Sequence, residues 1–246
     1  MDRSRLSDLA HARHPIAAPL ADASVDRLLA LLVVGGRSVL DLGCGDGSWL
    51  LRALRLDPGV TAVGVDLSGQ GFDRVRRQAD REGLGDRLEL VRADARSWTA
   101  GDRFDVVLSV GASHAFGGAA PTLAAMAGHL RPGGQGLLGE AFWERPPGPG
   151  TLEALGMRAD ELRDLAGTVA LAADSGWTPL EGHVSTLEEW DDYEWSWTSS
   201  LGRWALEHPD DPDAAEVART AAEHREGWLA GYRGTLGFLS LVLARA

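Results

Sequence analysis

Apolar positions along the chain fall into two periods that alternate. Residues 23–33 (ASVDRLLALLV) space them as one helix face does, and 37–43 (RSVLDLG) form a short apolar run closed by glycine, the pattern of a buried strand. The same alternation predicts a helix over 48–58, a strand over 61–68, a helix over 71–84 and strands over 87–98 and 104–111. A helix over 121–130 follows, stopped by Arg-Pro-Gly-Gly, and then a strand over 135–143. RPPGPG (145–150) breaks the pattern. Beyond it the spacing predicts a helix over 159–176, a strand over 177–186, two long helices over 187–209 and 212–234, and a last apolar strand over 236–246. Strands alternating with helices over this length imply an α/β fold whose parallel sheet is covered on both faces.

Composition narrows the function. The 246 residues carry a formal charge of -12, whereas nucleic-acid binders gain most of their affinity from a basic surplus, so no nucleic-acid partner is expected. The one dense basic run, RVRRQADR (74–81), reads better as a solvated helix face than as a phosphate site. No stretch is long and apolar enough to span a membrane, the first residues lack the apolar core of a signal peptide, and no membrane partner is expected. A single cysteine, Cys44, forms no internal disulfide and suits a reducing cytoplasm.

The strongest local signal is VLDLGCGDGSW (39–49). Asp41 lies near a strand end, then Gly43, Gly45 and Gly47 occupy alternate positions before a helix opens. Such glycines let the backbone turn tightly and come close to a ligand. The dinucleotide fingerprint G-x-G-x-x-G is not matched, since position 48 is serine. Taken alone, the segment is also consistent with an ordinary strand-to-helix turn capped by Asp41.

Together with Asp66 at the end of VGVDLS and Asp94 and Ala95 in VRADARSW, this motif resembles the class I S-adenosylmethionine-dependent methyltransferases, of a bacterial small-molecule type. The resemblance covers roughly residues 22–143. It implies a Rossmann-like doubly wound sheet of seven strands with the last antiparallel, plus a helical cap inserted late in the chain. The implied cofactor is S-adenosylmethionine. Its binding set would be Asp41, Gly43, Cys44, Gly45, Gly47, Asp66, Leu67, Asp94, Ala95, Ser109, Val110 and Gly111, with Asp66 taking the ribose hydroxyls and Asp94 and Ala95 the adenine. Open parallel sheets bind ligands outside the carboxyl ends of their strands, where all of these fall.

In this family the fourth strand ends beside the donor methyl, so SVGASHAFGG (109–118) would floor the active site. His114 is a candidate catalytic base, since imidazole titrates near neutrality, and equally a candidate for shaping the pocket. Glu140, ending the fifth strand, is the second catalytic candidate, with turn capping as its structural alternative. The Pro-Pro-aromatic motif of enzymes methylating nucleobases or glutamine is absent here, as are the Asp/Asn ligands of metal-dependent catechol enzymes, so no metal is expected.

Phe142 and Trp143 would flank the acceptor, or pack in the core. Five of nine tryptophans and both tyrosines lie within 187–233, and most follow helical spacing. Tyr193 and Trp197 are candidate acceptor contacts there, because aromatics among acids suit a flat or cationic small molecule. His14, set before Pro15, is a third. The expected organisation is an N-terminal arm (1–21) over the cofactor site, a core (22–186 and 235–246) and a helical cap (187–234). The expected activity is methyl transfer to O or N of a small-molecule acceptor. The alternatives are non-methyl chemistry on the same fold, such as cyclisation or aminopropyl transfer, and a catalytically inactive donor-binding regulator. A homodimer is the candidate assembly, with the oligomeric state open.

Overall fold

A computed structural model describes residues 3–14 and 16–245. Pro15, expected to hold His14 rigid, lies outside the described residues, as do residues 1–2 of the arm and the last residue of the final strand.

Seven strands form one sheet: β1 (Ser38–Leu42), β2 (Thr61–Asp66), β3 (Leu88–Arg92), β4 (Phe104–Val110), β5 (Leu130–Trp143), β6 (Thr178–Val184) and β7 (Leu236–Ala244). Their order is β3-β2-β1-β4-β5-β7-β6. The first five run parallel, and β7 pairs antiparallel with β6. The fold is therefore the Rossmann-like sheet that the alternation and the resemblance imply. The order reverses between β1 and β4, so the crevice for a ligand opens at the carboxyl ends of these two strands.

Two compact units divide the chain. One holds residues 21–140, 166–184 and 238–246. Its core is built from Val39, Leu40 and Leu42 of β1 and Val106, Val107 and Leu108 of β4, all fully buried. Helices α2 (Asp22–Ala30), α3 (Ser48–Leu56), α4 (Phe72–Arg81), α5 (Ser113–Phe116), α6 (Ala119–His129) and α8 (Leu165–Asp174) accompany these strands. The basic run lies on α4 and is spent on structure: Arg74 pairs with Asp46, and Arg76 donates to the Leu90 carbonyl at 2.7 Å.

The other unit holds the described residues 3–14, 16–20, 141–165 and 185–237, with α1 (Arg3–His11), α7 (Pro149–Leu155), α9 (Leu187–Glu207) and α10 (Ala214–Glu226). Ala10, Leu201, Val217 and Ala221 form its buried core, flanked by Leu6, Leu9, Trp197 and Trp204. The described N-terminal residues group with the cap helices in this unit, and so do residues 141–165, expected in the core.

Several elements differ from the predicted ones. β3 stops at Arg92 because Asp94 builds a turn: its carboxylate accepts from Arg96 N–H at 2.9 Å and its carbonyl from Ser97 and Trp98. The helix predicted from 159 begins only at Leu165. The helix over 212–234 gives way at Gly227 to a π-helical turn reaching Tyr232. α7 starts inside the Pro/Gly break, with Pro149 in the first turn, where its missing N–H costs nothing. α1 escaped notice because nine residues are marginal as a helix until packed against a partner.

Candidate active site

The three alternate glycines share one requirement. Gly43, Gly45 and Gly47 have φ of 80°, 57° and 90°, a region that side chains disfavour. Gly43 has a second constraint: a Cβ there would lie 2.4 Å from the Ala112 Cβ. A Cβ on Gly45 would meet nothing within 4 Å, so that side of the loop is left for a ligand to approach. The loop is tied back to β2 through the Val65 carbonyl, which accepts from Gly43 N–H at 2.9 Å and Cys44 N–H at 3.2 Å. Cys44 is buried, and a Cβ on Gly64 would sit 2.8 Å from its sulfur. Burial, and then the carboxylates of Asp41, Asp66 and Asp46, push its thiol well above the ordinary range, so it packs and does not react.

Asp41 is 2% exposed, and its Oδ1 has no hydrogen-bond partner among the described residues. Burial first, and the carboxylates of Asp66 and Asp46 after it, push its carboxyl up to about 7. A ligand bringing N–H donors or positive charge would satisfy this oxygen. The turn capping considered for Asp41 belongs instead to Asp46, whose Oδ1 accepts from Ser48 N–H at 2.8 Å at the start of α3.

Asp66 closes the loop from the other side. Its Oδ2 accepts from Gly45 N–H at 2.9 Å and its Oδ1 from Ser68 N–H at 2.8 Å. Leu67 beside it is 69% exposed, an apolar face in the open at a strand end. At the end of β3, Ala95 is buried and Asp94 is exposed. At the end of β4, Val110 is half-buried and Gly111 turns with φ of 69°. Ser109 has another employment: its hydroxyl is buried and donates to the Leu42 carbonyl at 3.0 Å, tying β4 to β1.

A family model described as "Methyltransferase domain" matches residues 39–134, the stretch holding all of these strand ends. YjhP, an uncharacterised protein of Escherichia coli K12, is 32% identical over 222 residues, 88% of each chain. The chain belongs to the S-adenosylmethionine-dependent methyltransferases. The crystal structure of a family member from Geobacter sulfurreducens, solved with S-adenosyl-L-homocysteine, matches with a TM-score of 0.90 at 27% identity over 98% of both chains. A fatty-acid O-methyltransferase of Mycolicibacterium smegmatis is 36% identical over 137 residues, 51% of this chain and 47% of its own.

The methyltransferase brings its two catalytic candidates to neighbouring strand ends. Ser113, the first residue of α5, donates its hydroxyl to Glu140 Oε1 at 2.9 Å. Glu140 is 8% exposed, so it does not face open water as a strand-end acid would. His114 follows Ser113 and is exposed, and its ring has no hydrogen bond among the described residues, while its carbonyl accepts from Gly117 N–H at 3.3 Å. Ser113 was not singled out from the sequence; nothing local distinguishes it, and its role appears only when β4 and β5 align.

The remaining candidates lie in the helical unit of the methyltransferase. Phe142 is fully buried, and a Cβ on Gly237 would fall 2.4 Å from its ring. Trp143 is 5% exposed and donates its indole N–H to the Ala159 carbonyl at 2.9 Å. Both are buried, as the core-packing alternative for them has it. His14 does meet Tyr193, edge to face at 5.4 Å, with its Nδ1 2.7 Å from the Ile16 carbonyl. Burial, with the Glu194 carboxylate adding to it, pushes the Tyr193 phenol up. Trp197 stacks on His224 at 3.9 Å. The spacing of His224 along the sequence marks no ligand set.

Proposed function

We propose that the methyltransferase moves a methyl group to an oxygen or nitrogen of a small-molecule acceptor. The observation that carries this reading is the Ser113–Glu140 hydrogen bond at the mouths of β4 and β5, beside an exposed His114. The partial likeness to a fatty-acid O-methyltransferase supports a small acceptor, as does the net charge of -12, which disfavours a nucleic acid.

The residues present suit the donor. Asp66 and Leu67 would take its ribose and adenine side, Asp94 and Ala95 the adenine edge, and the loop around Gly43 and Gly45, with the unsatisfied Asp41 Oδ1, the methionine part. When bound, S-adenosylmethionine supplies an electrophilic methyl on a sulfonium sulfur. Transfer is an in-line displacement, so holding the acceptor atom in line supplies much of the rate. Ser113 has its proton committed to Glu140, which leaves the hydroxyl oxygen to accept from the acceptor's protic group. His114 takes the proton that the acceptor loses and passes it to solvent. A cytoplasmic setting accompanies this reading: no helix among the described residues is long and apolar enough to cross a membrane, and the lone cysteine is a buried thiol.

The experiment is an acceptor screen by mass shift with S-adenosylmethionine present. Small-molecule methylation that matches S-adenosylhomocysteine release one for one supports the reading. Conversion of the donor without a methylated product would move the function to non-methyl chemistry, and binding without conversion to a regulatory role.

A further inference from the structure

Glu194, His224 and Tyr232 form a hydrogen-bonded network inside the helical unit. Glu194 is 2% exposed and lies on α9. Its Oε1 accepts from the Tyr232 hydroxyl at 2.7 Å, and its Oε2 lies 2.7 Å from His224 Nε2. The Tyr232 oxygen is also 3.2 Å from that nitrogen. The carboxylate offers Nε2 only lone pairs, and the Tyr232 hydrogen is already given to Glu194. Nε2 therefore carries the imidazole proton, and in the neutral ring Nδ1 carries the lone pair.

That lone pair is not used by the fold. Nδ1 has no hydrogen bond among the described residues, and the His224 side chain is 31% exposed. Trp197 stacks on the ring at 3.9 Å and holds its plane. The network also carries charge. Its carboxylate is Glu194, which takes a hydrogen bond on each oxygen, and burial, with Glu194 next, pushes the Tyr232 phenol up. The backbone adds an independent sign. Tyr232 reaches Glu194 from the π-helical turn Gly227–Tyr232, a rare geometry that is frequent at functional sites. A close approach shapes this turn, since a Cβ on Gly231 would lie 2.6 Å from the Ala154 Cβ.

We propose that this network is an anchoring site for a protonated amine, which donates an N–H to His224 Nδ1 and is balanced by the buried Glu194 charge. It stands independently of the small-molecule reading above, as a ligand site of the helical unit alone. Aromatic rings flank the network, with Trp190 6.4 Å from Tyr232, so an arylalkylammonium is the class that fits.

The test is a titration of the full-length protein, ¹⁵N-labelled at histidine, with benzylammonium, using benzoate as control and long-range ¹H–¹⁵N correlation as readout. The expected result is a free protein with the proton on Nε2 of His224, and an Nδ1 resonance that moves with benzylammonium and not with benzoate. Glu194→Gln should invert the tautomer, because the amide can donate to Nε2, and His224→Gln should weaken benzylammonium binding about tenfold or more. A proton on Nδ1 in the free protein, no response to benzylammonium, or an equal response to benzoate overturns the proposal. Calorimetry with S-adenosylhomocysteine on the same samples separates the two readings: retained binding there with no amine response sinks this site alone.

Discussion

Asp66 Oδ2 accepts the backbone N–H of Gly45 at 2.9 Å, so the end of β2 holds the glycine loop in place while its other oxygen serves Ser68. One side chain thus shapes the loop, and in the proposed donor site the same carboxylate takes the ribose. Asp66→Ala should therefore weaken S-adenosylhomocysteine binding by well over the roughly 1.5–3 kcal/mol of one charge-assisted hydrogen bond. Calorimetry checks this, and an unchanged affinity would remove Asp66 from the donor site.

Gly43 and Gly45 should respond differently to alanine. Gly43→Ala strains a φ of 80° and drives a methyl into Ala112, so it should lower stability by about 2 kcal/mol or more. Gly45→Ala meets open space and should cost about 1 kcal/mol for its φ of 57°, while donor affinity falls. Urea unfolding alongside calorimetry distinguishes the two; similar stability losses would mean that the loop relaxes around both.

Asp41 sets a pH dependence. Its carboxyl is raised to about 7 in the folded chain from an ordinary value of 3.8. The folded state holds this proton more tightly, so the associated stability is complete below the ordinary value and is lost as pH rises through about 7. Asp41→Asn should flatten that decline and stabilise the ligand-free protein near pH 8 by roughly a few kcal/mol, at the expense of donor affinity. Denaturant midpoints across the pH range measure it; parallel profiles for the two proteins would rule the assignment out.

His114→Ala should lower kcat about 100-fold or more with S-adenosylhomocysteine affinity intact. A fall of only a few-fold would leave His114 as a residue that shapes the pocket.

Much of the donor-side architecture was legible because its causes are local. Alternate glycines need left-handed backbone wherever a strand turns sharply into a helix, and Gly43, Gly45 and Gly47 all adopt it. Strand ends carrying Asp66 and Asp94 follow from apolar runs that stop. What was not legible depends on residues far apart in sequence. The Ser109 hydroxyl bond to Leu42 and the close approach of Gly237 to the Phe142 ring each join residues that no local pattern links. Asp46 rather than Asp41 makes the turn bond to Ser48 N–H at the start of α3, which the order of residues alone does not announce. The Glu194–His224 pair joins α9 to the end of α10, and no spacing along one helix announces it.

The central claim is that the loop at 43–47 and the carboxylate of Asp66 form a donor site. Titrating the purified protein with S-adenosylhomocysteine, with NAD as control, tests it most directly. The account predicts micromolar binding of the first and none of the second. Binding of NAD, or of neither, would contradict it.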